Sequence, residues 1–169
     1  MHQCDVLIVG AGPAGLSVAS SLSNEISCII VHQDAEVGRP VRSSGGSFLK
    51  DAKALYIPEK YYQIIDNLDF YSDHAEAKFI IETNKMVIFD ITGLYQYLAS
   101  LLQLKNHQLL MSTKFLNTEK LLSGTYLSTI RSKDGGKKTI HSKYIIDASG
   151  WHCAVVQACG LIPMPKRLG

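Results

Sequence analysis

Three glycines at fixed spacing are the first residues in this chain whose types and positions can do chemistry. In Gly10-Ala11-Gly12-Pro13-Ala14-Gly15 they follow the apolar run Val6-Leu7-Ile8-Val9 and open a stretch with helical spacing. A G-x-G-x-x-G run means little alone; between a strand and a helix it is the fingerprint of a dinucleotide diphosphate site. Gly10 permits the tight turn, Gly12 leaves room for the diphosphate, and Gly15 lets helix and strand pack closely. Ala11, Pro13 and Ala14 complete the turn around the ligand. The diphosphate is expected to rest on free N–H groups at the helix's positive end. A branched side chain at Gly12 is therefore expected to block an adenine dinucleotide while sparing the fold. The plain alternative is a Gly-rich turn with no ligand.

Such a turn usually works with an acidic residue about 20 positions on, at the end of the second strand, which binds the adenosine ribose. Here that place is taken by His32, followed by Gln33 and Asp34. A neutral imidazole accepts one hydrogen bond where a carboxylate accepts several. A hydrogen bond to a charged group contributes ~1.5–3 kcal/mol, so ribose binding is expected to weaken ~10- to 100-fold. Exchanging His32 for Glu should then tighten binding, unless the loop bends back and Asp34 already fills the acidic role. His32 and Gln33 are candidate cofactor contacts; a solvent-facing strand end is the other reading of His32.

These residues need elements to position them. The continuous apolar run before Gly10 reads as a fully buried strand, and Ile26 to Val31 as a second. The helix between them is expected over 13–23, with Ala14, Val18, Ala19 and Leu22 inward and Asn24 as a stop. Residues 32–47 read as a long polar loop. Residues 50–68 are ambiguous, with a helix start at Pro58. Residues 78–89 look like a hairpin turning near Asn84. Thr92 is a candidate cap for a helix carrying Leu94, Leu98, Leu101 and Leu102. Leu109-Leu110-Met111 resembles a buried strand, 114–142 a small antiparallel meander with a turn at Asp134-Gly135-Gly136, and Tyr144-Ile145-Ile146 a final buried strand.

Composition narrows the classes. The 169 residues suit about one domain with a real core. A net charge of +2 is too small to point to nucleic acid. Four cysteines without a Cys-x-x-Cys pair favour neither zinc nor a redox disulfide. The start lacks the basic leader of a signal peptide, and no apolar run reaches the ~18 residues of a membrane span. A cytoplasmic protein is expected, with contact at a membrane surface left open.

Three stretches carry a resemblance. Asp5-Val-Leu-Ile-Val-Gly-Ala-Gly-Pro-Ala-Gly-Leu16 resembles the start of FAD-binding enzymes with the glutathione-reductase-type fold. Glu36-Val-Gly-Arg-Pro-Val-Arg-Ser-Ser-Gly-Gly-Ser47 resembles the segment after the second strand in the geranylgeranyl reductase group. Ile146-Asp-Ala-Ser-Gly-Trp-His-Cys-Ala-Val155 resembles the Asp-Gly motif shared by that group and the aromatic hydroxylases. The resemblance implies an α/β fold: a Rossmann-like parallel sheet with helices and a small antiparallel β-meander, incomplete relative to the family. It implies one FAD/NAD(P)-binding domain over 1–169, with the meander of 114–142 as an insertion.

By the same resemblance, Arg42 and the loop holding Ser44 and Gly45 would lie near the flavin or its diphosphate. Asp147 and Gly150 would sit where the last strand meets the cofactor; a helix cap or turn is the plain reading of Asp147. Cys153 stands where the family usually has Ser, and Val155, Val156 and Gln157 replace a basic residue. FAD is the implied cofactor and NADPH an implied electron donor. The substrate would be a small molecule, foremost an isoprenoid whose double bond is reduced. The alternatives are an aromatic monooxygenase, a nucleotide-binding module without catalysis of its own, and a remnant with no ligand. The later Gly-Asp motif of complete family members is absent, so an N-terminal part of such an enzyme is expected.

Overall fold

The computed structural model describes residues 2–161, except for the side chain of Leu104. In chain order the elements are β1 (His2–Val9), α1 (Pro13–Ser21), β2 (Cys28–Val31), β3 (Gly46–Phe48), α2 (Leu49–Ala54), β4 (Tyr62–Ile65), β5 (Asn67–Tyr71) and β6 (Glu76–Ile80). Then follow β7 (Met86–Phe89), α3 (Ile91–Leu101), β8 (His107–Leu110), β9 (Lys114–Lys120), β10 (Tyr126–Arg131), β11 (Lys137–Asp147) and α4 (Ala154–Ala158). They divide into two units, Met1–Pro40 with Tyr95–Gly169, and Val41–Leu94.

The larger unit is built on a six-stranded sheet in the order β8-β2-β1-β11-β10-β9. β8, β2, β1 and β11 run parallel, and β10 pairs antiparallel with both β11 and β9. β1 is a continuous apolar run because both its faces are covered. Leu7 and Val9 pack with Ile29, Val31, Phe115, Ile130, Ile140 and Val155 on one side. Val6 and Ile8 pack with Leu16, Ala19, Cys28, Ile30 and Leu102 on the other. Leu7 and Ile8 are wholly shielded from solvent, and burying each such side chain contributes about 1.5–3 kcal/mol.

Polar clasps fix the ends of this unit. Asp5 accepts from Ser27 N–H (2.8 Å) and Ser27 Oγ (2.6 Å) and pairs with Lys143 Nζ (2.7 Å), tying β1 to the segment before β2 and to β11. The Lys143 ammonium and Ser27 hold the Asp5 carboxyl well below the usual carboxylate range. At the far end of α1, Lys105 Nζ donates to the carbonyls of Ser20 (2.5 Å) and Leu22 (2.6 Å). A cation there satisfies unpaired helix carbonyls and complements the helix dipole.

Several expectations change in the structure. On α1 and its C-cap, Ala19 is buried and Val18 and Leu22 pack against the same cluster as expected, but Ala14 is exposed, and Gly15 and Leu16 are buried instead. The meander and the last strand are not separate: β11 runs unbroken over eleven residues, pairing antiparallel with β10 and parallel with β1. Tyr144 on that strand is exposed rather than buried. Asp90, not Thr92, caps α3: its Oδ1 accepts from Gly93 N–H (3.0 Å), and Thr92 lies inside the helix.

The smaller unit has a three-stranded antiparallel sheet, β3-β7-β4, and the two-stranded β5-β6. The expected hairpin of 78–89 does not form. β6 pairs with β5, and β7 lies between β3 and β4. The chain does turn at Asn84, in the left-handed region (φ 52), but the strands on either side have other partners. Pro58 starts only one 3-10 turn, Glu59–Tyr61.

Candidate functional site

The glycine turn joins β1 to α1, and each glycine meets a different environment. Gly10 sits at φ 112, where an added Cβ would lie 2.2 Å from the Ala148 carbonyl oxygen. At Gly15 a Cβ would lie 1.9 Å from the Gly10 carbonyl oxygen and 3.2 Å from Ala148 Cβ. Both glycines are therefore required by packing between the turn, the helix and the end of β11, where Ala148 N–H donates to Val9 O (2.9 Å). Gly12 differs: an added Cβ meets nothing within 4 Å. Its lack of a side chain serves no contact inside the protein, and the space beside it is open.

Gly12 is also the N-cap of α1, with Pro13 at the first helical position. No side chain caps this end, and its first turn holds no acidic residue. A helix N-terminus leaves N–H groups without intrahelical acceptors and carries about half a positive charge. Pro13 contributes no N–H; Ala14 is exposed and Gly15 buried. The arrangement suits an anion next to Gly12 and introduces no negative charge to repel it.

The end of β2 faces this turn. Ala11 N–H donates to His32 Nδ1 (3.1 Å), and His32 Nε2 lies 3.2 Å from Asp34 Oδ2. Nδ1 can accept only if it carries no proton, so the neutral ring carries its proton on Nε2, toward the carboxylate. His32 and Asp34 are each 16% exposed, so His32 is not a solvent-facing strand end. Gln33 between them is exposed. The strand end is held to β8 and the residues after it: His32 N–H donates to Leu110 O (2.9 Å), Thr113 N–H to His32 O (2.7 Å) and Ser112 N–H to Asp34 O (2.9 Å).

At the end of β11, both carboxylate oxygens of Asp147 are engaged. Oδ1 accepts from Ser149 N–H (3.0 Å) and Ser149 Oγ (2.6 Å); Oδ2 accepts from Val155 N–H (2.8 Å) and Val156 N–H (3.0 Å). Partial burial raises its pKa, but the bonds from Ser149, Val156 and Val155 outweigh this and hold it below the usual carboxylate range. Ser149 Oγ in turn accepts from Ala154 N–H (2.8 Å). Asp147 thus ties the start of α4 to the segment that carries Ala148 against Gly10. Gly150 is exposed at φ 70 with no atom within 4 Å of an added Cβ.

Arg42, Ser44 and Gly45 belong to the smaller unit. Arg42 and Ser44 are exposed and Gly45 is buried at φ 75. Ser43 Oγ accepts from Gly45 N–H (3.1 Å), and Gly45 O accepts from Phe89 N–H (2.9 Å). A Cβ at Gly45 would come within 2.9 Å of Phe89 O, so glycine is needed there for the loop to lie against β7.

Two residues that shape this site were not singled out in the sequence. Ala148 closes the turn against Gly10 and Gly15, and a small residue directly after the last strand was its only signal. Ser149 shares the Asp147 carboxylate, and nothing in its sequence position marks it.

The fold is similar to solved flavoenzymes. A geranylgeranyl bacteriochlorophyll reductase-like protein from Thermoplasma acidophilum superposes with a TM-score of 0.76 at 18% identity, covering 95% of this chain and 42% of that one. The p-nitrophenol 4-monooxygenase of Pseudomonas putida gives 0.77 at 16% identity, with 95% and 44% covered. A flavoprotein/dehydrogenase from Cytophaga hutchinsonii gives 0.70 at 22%, with 94% and 42% covered. The chain thus spans less than half the length of these structures. No curated protein matches it by sequence. The family profile described as FAD dependent oxidoreductase matches residues 5–162.

Proposed function

The chain belongs to the FAD dependent oxidoreductase family, and from that premise we propose that its glycine turn holds the ADP half of FAD. The open side of Gly12 at the uncapped start of α1 carries this reading. A diphosphate fits there because backbone N–H groups and the helix dipole favour negative charge, and no side chain stands in the way. Bound FAD supplies two-electron redox chemistry between a donor and a substrate. The protein's own part is positioning. Gly10 and Gly15 let Ala148 close the turn, and Asp147 holds the segment that carries Ala148. Ala11, Pro13 and Ala14 line the turn, and Gly150 leaves open space after the last strand. Arg42 with Ser44 and Gly45 takes the flavin side, as the resemblance implies.

We assign 1–169 to one FAD-binding domain with residues 114–142 as its meander. The leading activity is reduction of an isoprenoid double bond, with NADPH as electron donor; the likeness of 36–47 to the geranylgeranyl reductase group favours it. A flavin-dependent aromatic monooxygenase is the second reading, and the similarity of fold to the p-nitrophenol monooxygenase supports it. No helix among the described residues is long and apolar enough to cross a membrane. A cytoplasmic protein that meets its small-molecule substrate in solution or at a membrane surface fits the proposal. The test is the absorption spectrum of the protein after incubation with FAD and gel filtration, beside calorimetric titration with ADP. Retained flavin absorbance supports an FAD site; ADP binding without retained flavin would reduce the proposal to a nucleotide-binding module; binding of neither would overturn it.

A further inference from the structure

We infer that the outer face of the β9–β10–β11 meander is a docking surface for an anionic lipid bilayer, read by a row of three cations, Lys114, Arg131 and Lys137. The inference goes beyond the ADP site and does not depend on it. Strand register builds the row. Arg131 lies directly opposite Lys114 on one side and Lys137 on the other. Residues directly opposite in an antiparallel pair share a face, and neighbouring strands lie about 4.8 Å apart, so the three positions fall within about 10 Å. The adjacent Phe115 and Ile130 turn into the core. The row is therefore on the solvent side, and all three residues are exposed.

Like charges set directly opposite one another cost stability. Among the described residues nothing offsets this cost, because no carboxylate pairs with any of the three. Lys133 adds an exposed cation in the turn between β10 and β11. The carboxylate of that turn, Asp134, is held within it, accepting from Ser132 Oγ (2.6 Å) and Gly136 N–H (3.0 Å). Next along the face come Asn117, Thr129 and Thr139, polar and uncharged. Glu119 lies beyond them, opposite Leu127, further from the row than the Debye length of ~8 Å. Residues 131–138 with Lys114 hold five cations and one carboxylate, while the whole chain is only +2, so the rest of the molecule is net negative.

The chemistry of the patch selects its partner. A protein interface is built round a buried apolar or aromatic core, and single-stranded nucleic acid stacks on aromatic rings. Neither the cationic row nor the row beside it holds an aromatic or a large apolar side chain. The recognition left to it is by charge alone, which a sheet of anionic headgroups supplies. A duplex nucleic acid is also read by charge, but so long a polyanion would meet the net negative remainder of the molecule. Lys137 opens β11 and Asp147 closes it, about 30 Å apart along the strand, so docking does not cover the glycine turn.

The experiment sediments the full chain with vesicles of phosphatidylcholine, alone or mixed with phosphatidylserine, at low and high salt. Wild type should bind the anionic vesicles only, and high salt should release it. Each Lys or Arg near such a surface raises partition about fivefold, so Lys114→Gln/Arg131→Gln/Lys137→Gln should bind about 100-fold more weakly. Lys53→Gln/Lys78→Gln/Lys120→Gln removes three exposed cations outside the row, has the same net charge, and should bind as wild type. Lys114→Arg/Lys137→Arg keeps the row's charge and should keep binding. Thermal melts without vesicles are the folding control. The inference is overturned if wild type does not bind anionic vesicles or if the two triple Gln variants lose binding equally. Tighter binding to a duplex oligonucleotide than to vesicles at equal phosphate would overturn it in favour of nucleic acid.

Discussion

Gly12 and Gly15 lie three residues apart in one motif, yet alanine should have opposite effects at the two. At Gly15 the new Cβ would sit 1.9 Å from the Gly10 carbonyl oxygen, and real Cβ contacts essentially never fall under 3.0 Å. β1 and α1 must then part by about 1 Å. Overpacking of this kind costs roughly 1–3 kcal/mol, and a backbone oxygen cannot rotate aside, so ~3 kcal/mol is expected. At ~2–4 °C per kcal/mol for a chain of this size, Gly15→Ala should melt ~6–12 °C below wild type. At Gly12 the Cβ meets nothing within 4 Å, and its φ of −79 suits any residue. The stability change should stay within about 0.5 kcal/mol, or ~1–2 °C. Binding should behave the other way. A methyl at Gly12 keeps a diphosphate oxygen away from the α1 N–H groups, and losing one charge-assisted bond lowers ADP affinity about 10- to 100-fold. Scanning fluorimetry without ligand and calorimetry with ADP measure the two quantities separately. Equal melting temperatures for the two variants, or wild-type ADP affinity in Gly12→Ala, would refute the division of roles.

Asp147→Ala removes the acceptor of four hydrogen bonds, two from Ser149 and two from the start of α4, and should cost ~2 kcal/mol, seen as a melting temperature ~4–8 °C lower. Asp147→Asn, which keeps one acceptor oxygen, should lose less. Acid should act through the same group and through Asp5, because both carboxyls titrate below their ordinary range in the folded state. Their contribution is present above the unfolded pKa of about 3.9 and drains away as pH falls through the lower folded values. Melts between pH 7 and pH 2.5 should show the loss beginning near pH 4, and Asp5→Asn should blunt it. Burial pushes the thiols of Cys4 and Cys28 up to about 11 and about 12, while Cys159 is exposed. Iodoacetamide at pH 8 followed by peptide mass mapping should label Cys159 and leave Cys4 and Cys28 unmodified until the protein is denatured.

The strand–turn–helix–strand unit was legible because its signals are local: an unbroken apolar run, glycines that need φ above zero or close approach, and a second apolar run. The pairing of distant strands was not. Residues 78–89 have the alternation of a hairpin, but β7 finds better cover between β3 and β4, and sequence alternation does not say which strand will be opposite. The role of His32 was hidden for a related reason. The sequence shows an imidazole in place of an acid; that its Nδ1 serves Ala11, on another strand's turn, depends on tertiary geometry. Asp147 was marked by resemblance as lying near the cofactor, and its four partners at 149, 155 and 156 show how much of its carboxylate is taken up inside the protein.

β1 lies between β2, which follows it closely in the chain, and β11, which comes last among the strands of the described residues. A nascent chain can form β1, α1 and β2 early, but it lacks the strand that covers the other edge of β1 until residues 137–147 have been made. Ala148, which presses on Gly10 and Gly15, arrives later still. Pairing between such distant segments is slow, because the intervening chain must be closed into a loop before contact is gained. Throughout that interval the edge of β1 offers an unpaired apolar strand to its surroundings, the kind of edge that invites association with other chains. Premature termination anywhere before β11 should therefore yield a product that is retained by chaperones or aggregates, however intact its glycine motif.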